Sequence, residues 1–127
     1  EPATFDVPVS HLDIMPTLHE LMGIGIPDDL DGISLAGSVA KGVPPPERPV
    51  FCEFCGSGAR DLDRRAVITR RFKYVYDPND IPELYDLRED PLEMNNLASD
   101  PAYADTIAAL HAECRAWAEK CGDWVEF

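Results

Sequence analysis

The residues that could do chemistry are few, and their spacing does not suit it. The chain has three histidines. None has a nucleophile or an orienting acid at a fixed interval, and no pair has the helical spacing of metal ligands. His11 and His19 therefore read as ordinary surface or boundary residues. Cys52 and Cys55, if extended, lie about 10 Å apart, and Cys114 and Cys121 on a helix are separated by about 10 Å of rise. Bridged Cα atoms sit within roughly 7 Å, so neither local pair forms a disulfide. Only the first pair has knuckle spacing and no histidine lies near the second, which leaves buried free thiols as the reading. Asp28, Asp29 and Asp31 lack the remaining oxygen positions and terminal Glu of a calcium loop, so they read as a solvated turn. The glycine loop CGSGAR at 55–60 lacks the Lys-Ser/Thr ending of a phosphate-binding loop.

Charge gives the one remaining lead. The formal net charge is −13, which argues against nucleic-acid or anionic-membrane binding by the chain as a whole. Six of the 11 basic residues, Arg60, Arg64, Arg65, Arg70, Arg71 and Lys73, nevertheless fall within 60–73, and a dense acidic stretch runs from Asp77 to Asp100. Pairing between a basic and an acidic strand accounts for this pattern. A local anion-attracting face is the alternative, with Arg60 and Arg64 in the loop 55–64 as its candidates.

These residues must be positioned by a small α+β domain. Ser10 and Asp13 form a capping-box pattern ahead of Leu12, Met15, Leu18 and Leu21/Met22, which predicts a short amphipathic helix over about 13–22 that ends at Gly23. Ile24 to Pro49 reads as connective, stiffened by Pro44-Pro45-Pro46. Alternation in 50–54 predicts a strand with Val50, Cys52 and Phe54 buried and Glu53 outside. Further strands are expected at Arg65–Thr69, Phe72–Tyr76 and Glu83–Leu87. Asp100 and Pro101 then open a helix to about Cys121, with Tyr103, Ile107, Leu110, Cys114, Trp117 and Cys121 as its stripe and Gly122 as its stop. The aromatic face Phe72, Tyr74 and Tyr76 is expected to pack on that stripe. The fold expected is thus an antiparallel sheet of about four strands, covering about 50–87, packed against a long C-terminal helix. A short helix and a Pro-rich linker precede it. No run reaches the roughly 20 apolar residues of a membrane span.

Several blocks resemble a known family in order. VSHLDIMPTLHELMGI at 9–24, DLDGISL at 29–35, RPVFCEF at 48–54, RRAVITRRFKYVYD at 64–77 and ELYDLREDPLEMNNLASDP at 83–101 look like the C-terminal part of a sulfatase of the alkaline-phosphatase-like superfamily. The tail AWAEKCGDWVEF is similar to sulfamidase-like members. The resemblance implies a large N-terminal α/β domain that carries the chemistry, with a formylglycine made within a (Cys/Ser)-x-Pro-x-Arg motif and a calcium ion held by aspartates and an Asn or His. Neither motif is here: the only Pro-x-Arg, Pro46-Glu47-Arg48, has Pro44 at the nucleophile position. No catalytic residue or metal ligand carries over.

On this resemblance residues 1–48 would be the end of the catalytic domain plus a linker, and 49–127 the C-terminal subdomain. The chain, which starts at Glu1 without an initiator Met, reads as a mature chain or fragment that is structural and inactive alone. Its partner would be the missing N-terminal domain. The parent would act on a sulfated small molecule or glycan, with Arg60 and Arg64 on the rim of its cleft. An apolar face toward the missing domain would also favour a homodimer of the fragment. The alternative is a free-standing acidic module that binds a partner protein through the first helix or a strand edge. The sequence does not tell the compartment.

Overall fold

The computed structural model describes residues 3–56 and 63–127. They divide into two compact units, one up to Arg48 and one from Pro49 to Phe127.

The second unit is built on a four-stranded antiparallel sheet in sequential order: β1 (Val50–Phe54), β2 (Arg64–Ile68), β3 (Phe72–Tyr76) and β4 (Glu83–Asp86). Its turns follow from local chemistry. Between β2 and β3, Thr69 both receives the Phe72 amide on its hydroxyl and donates its own amide to the Phe72 carbonyl. Between β3 and β4, Asp77 accepts the Asn79 amide, an Asx turn. After β4 the chain doubles back over the sheet edge. Asn96 Oδ1 accepts the Leu84 amide and the Leu97 amide donates to the Leu84 carbonyl, so a side chain and a loop stand in for a fifth strand.

The register sets Phe51 opposite Val67, Val67 opposite Tyr74 and Tyr74 opposite Leu84, a row across all four strands. This row takes the long C-terminal helix. Asp100 caps the start by accepting the Ala102 amide, a 3-10 turn at Pro101–Tyr103 leads in, the helix proper runs Ala104–Cys121, and Gly122 ends it at φ 68°. Val67, Tyr74, Leu84, Leu110 and Cys114 form the buried core. Phe72 meets Tyr103 edge-on, and Phe51 stacks on Trp117 at 5.1 Å between centroids. The expected packing of the β3 aromatic face on the helix stripe is thus found.

Two expectations on the sheet are corrected. Val50 is buried, but Cys52 and Phe54 are exposed, and it is Phe51 that faces the helix. Alternation shows which residues share a face but not which face gets covered. All four cysteines are thiols outside any disulfide, yet only Cys114 is buried. Cys52 lies on an edge strand, on the side away from the helix, Cys55 just beyond it, and Cys121 at the helix's last residue.

In the first unit Ser10 and Asp13 form the predicted capping box around a 3-10 turn at His11–Asp13, which runs into α1 (Ile14–Leu21). Gly23 follows at φ 69°. The stretch 24–49, expected to be wholly connective, contains a second helix, α2 (Ala36–Lys41), ended by Gly42 at φ 66°. Six residues are too few to show a helical period, and the tie that orders this stretch comes from α1: the Ile33 amide donates to Asp13 and the Leu35 amide to Thr17. The C-terminal helix is α3 below.

Candidate functional site

The basic cluster supplies the only site candidates from sequence. Arg60 lies outside the described residues. Arg64 opens β2, and its Nε donates to Asp77 Oδ2 at 2.7 Å while Nη1 stands 3.7 Å from the Glu83 carboxylate. Nearby basic residues are engaged in the same way. Arg71 pairs with Asp86 at 2.8 Å and Lys73 with Glu93. The basic strand is therefore laid against the acidic one, the arrangement that charge pattern suggested.

Asp86 shows the consequence for ionisation. Burial works to raise its pKa, but hydrogen bonds from Arg71 and from the Arg88 and Glu89 amides outweigh it and hold the carboxyl below its usual range.

Beside Arg64, Arg65 points to the opposite face of β2, beneath the chain end. Its side chain is fully buried and grips Asp123 with both Nε and Nη2, the second bond at 2.8 Å. Nη1 donates to the Arg64 carbonyl at 2.8 Å. The guanidinium lies 5.4 Å from the centroid of Trp124, whose indole N–H faces Asp63 at 3.4 Å. The hydrogen bonds to Asp123 hold Arg65 charged against the opposing effect of burial, and Arg65 in turn holds the Asp123 carboxyl below its usual range. The tail is pinned further along as well. Tyr76 donates to the Glu126 carbonyl at 2.7 Å, and Phe127 stacks on Tyr76 at 4.5 Å.

The remaining polar groups are internal. Tyr74 Oη lies 3.0 Å from His111 Nδ1, and burial pushes the Tyr74 hydroxyl up to about 12. Burial likewise pushes the Cys114 thiol up to about 11, so it stays protonated and unreactive near neutrality. His19 Nδ1 lies 2.9 Å from the Gly25 carbonyl. In the first unit Asp13 is a hub, receiving the Ser10 amide, the Ile33 amide and Arg48.

These groups hold the fold together. Among the described residues, no three His, Cys, Asp or Glu side chains are placed where a metal ion could be held. The calcium ion that the resemblance implies therefore finds no fitting donor set among the described residues, and formylglycine, a modified Cys or Ser, would need the (Cys/Ser)-x-Pro-x-Arg motif that this sequence lacks. Among the described residues no helix is long and apolar enough to cross a membrane.

Sequence reasoning missed the Arg65–Asp123 clasp, the edge cap at Asn96 and the reach of Asp13. One signal was available for the first. An arginine alternating in phase with Val67 must point into the core and needs a buried acid. The distant partners of Asp13, Ile33 and Arg48, lie 20 and 35 residues away, beyond any local pattern.

Residues 3–120 match the protein family described as "N-sulphoglucosamine sulphohydrolase, C-terminal". The chain is 40% identical over 97 residues to the choline-sulfatase of Rhizobium meliloti, an overlap covering 74% of this chain and 18% of that protein. It is 34% identical over 114 residues to the Delta 4,5-hexuronate-2-O-sulfatase of Bacteroides thetaiotaomicron, covering 83% and 24%. Among solved structures, a 2-O GAG sulfatase superposes with a TM-score of 0.76 at 33% identity over 87% of this chain and 25% of its own. The chain thus spans a quarter or less of the length of these three relatives.

Proposed function

Because the chain belongs to the N-sulphoglucosamine sulphohydrolase C-terminal family, and so to the alkaline-phosphatase-like sulfatases, we propose that it is the C-terminal portion of a longer enzyme that hydrolyses a sulfate ester or sulfamate. One observation carries this reading. The matches take in 74% and 83% of this chain but only 18% and 24% of two sulfatases.

In that enzyme residues 1–48 close the catalytic domain and 49–127 form the C-terminal subdomain. The nucleophile and the calcium ligands belong to the rest of the protein, and this portion has a structural role with no turnover of its own. The substrate is a sulfated small molecule or glycan, in keeping with the choline and hexuronate sulfatases it resembles. Arg60 and Arg64 are the candidates for the substrate rim. The Arg64 side chain is 40% exposed even while engaged with Asp77 and Glu83, which supports its place at a rim.

Reading the coding sequence upstream of Glu1 tests the proposal. A (Cys/Ser)-x-Pro-x-Arg block in frame supports it; a start codon immediately before Glu1 overturns it in favour of a free-standing interaction module.

A further inference from the structure

Helix α1 is fully tied on one side and bare on the other. On the inner side Asp13, Pro16 and Thr17 are buried, with Thr17 donating to the Asp13 carbonyl and accepting the Leu35 amide. On the outer side Ile14, Met15, Leu18, Leu21 and Met22 are each between 45% and 62% exposed. At ~100° per residue these five fill an arc of about 120°, the width of a stripe that normally faces a core. The helix is thus amphipathic in reverse, with its polar and small side anchored and its apolar side out.

We propose that this apolar face of α1 is the seat on which the preceding part of the catalytic domain, in the same longer chain, packs. The inference rests on the reading above that this is the C-terminal portion of a sulfatase, and it adds which surface receives the rest. Two observations favour this occupant over a second copy of the chain. Two sulfatases that it matches have three quarters or more of their length outside the matched region, enough to form the rest of that domain. The seat is also small: eight residues make a helix only ~12 Å long, far short of the roughly 800 Å² per partner of a stable stand-alone complex. A covalently joined partner acts at a millimolar effective concentration and can use so small a seat. The ties from Ile33, Leu35 and Arg48 to Asp13 and Thr17 fix the helix beforehand, which lowers the ordering cost of docking.

The three methionines provide a built-in test. Met15 and Met22 lie on the seat, while Met94 sits in the loop after β4, 76% exposed. Peroxide oxidation of the full-length enzyme, followed residue by residue by mass spectrometry in native buffer and in urea, reads their accessibility. Native Met15 and Met22 should oxidise at least about tenfold more slowly than in urea, the factor given by ~1.4 kcal/mol, while Met94 should react at nearly its unfolded rate. Native rates at Met15 and Met22 equal to that of Met94 overturn the proposal. So does protection that disappears on dilution, which would assign the face to a second copy. Turnover of a sulfate ester by the same sample separates the two readings. Turnover with unprotected methionines overturns the seat alone, and protection without turnover overturns the sulfatase reading and leaves the seat.

Discussion

Asp123→Ala should be among the most destabilising single changes in the second unit. The carboxylate and Arg65 have side-chain exposures of 2% and 0%, so removing one leaves a buried, unpaired charge. Breaking such a pair costs about 3–5 kcal/mol. The pair lies beneath the chain end, partly roofed by the two-thirds-exposed Trp124, and Arg65 keeps its bond to the Arg64 carbonyl. Both features put the loss at the lower end, about 3 kcal/mol. With a urea slope of ~2 kcal/mol/M, the unfolding midpoint should fall by about 1.5 M. Replacing both partners, Arg65→Met with Asp123→Leu, removes the charge along with its counter-charge and should return stability to within about 1 kcal/mol of wild type. A single variant that loses less than about 1 kcal/mol, or a double variant as unstable as the single, would refute the claim that the pair is buried and mutually dependent.

Gly32→Ala should unsettle the first unit, because a Cβ there would lie 2.0 Å from the Leu12 carbonyl oxygen. We expect a loss of at least about 2 kcal/mol, read by thermal unfolding, and an unchanged melting point would contradict that close approach. Asn96→Ala removes the acceptor of the Leu84 amide, so exchange of that amide with deuterium should accelerate while the Tyr74 amide, inside the sheet, holds its rate. Stability should fall at both ends of the pH scale. Asp86 and Asp123 titrate below the usual range when folded, so their contribution is complete above about pH 4 and is lost as pH falls through their depressed values. Cys114 and Tyr74 are raised to about 11 and about 12, so their contribution is complete below their ordinary values of 9.0 and 10.0 and is lost as pH rises through the raised ones. Cys114→Ala should move the onset of alkaline unfolding upward from the pH 9 region; an onset that does not move would show that the thiol plays no part.

The fold was legible wherever one face of an element is consistently apolar or a capping signal stands at its end. The Tyr103–Cys121 stripe, Asp100-Pro101 and Gly122 defined the long helix, and Phe72–Tyr76 with Glu83–Leu87 defined the hairpin. What escaped depends on contacts between distant residues. Cys52 and Phe54 were assigned to the wrong face because only the pairing of Phe51 with Val67 decides which side α3 covers. Helix α2 escaped because it is short and is held by Asp13 and Thr17 from another element. As for the site, the basic cluster at 60–73 was visible, but its engagement with Asp77, Glu83, Asp86 and Glu93 required the strand register. That the chain carries no (Cys/Ser)-x-Pro-x-Arg motif was legible, because such a motif is a matter of sequence alone.

On the function proposed above, this chain completes a sulfatase whose chemistry lies elsewhere in a longer protein. Hydrolysis of an aryl sulfate by the full-length enzyme and by the 127-residue chain, assayed side by side at equal concentration, tests it most directly. Turnover by the longer protein and none by the 127-residue chain is the predicted result. Turnover by the short chain, or a full-length protein that releases no sulfate, would contradict it.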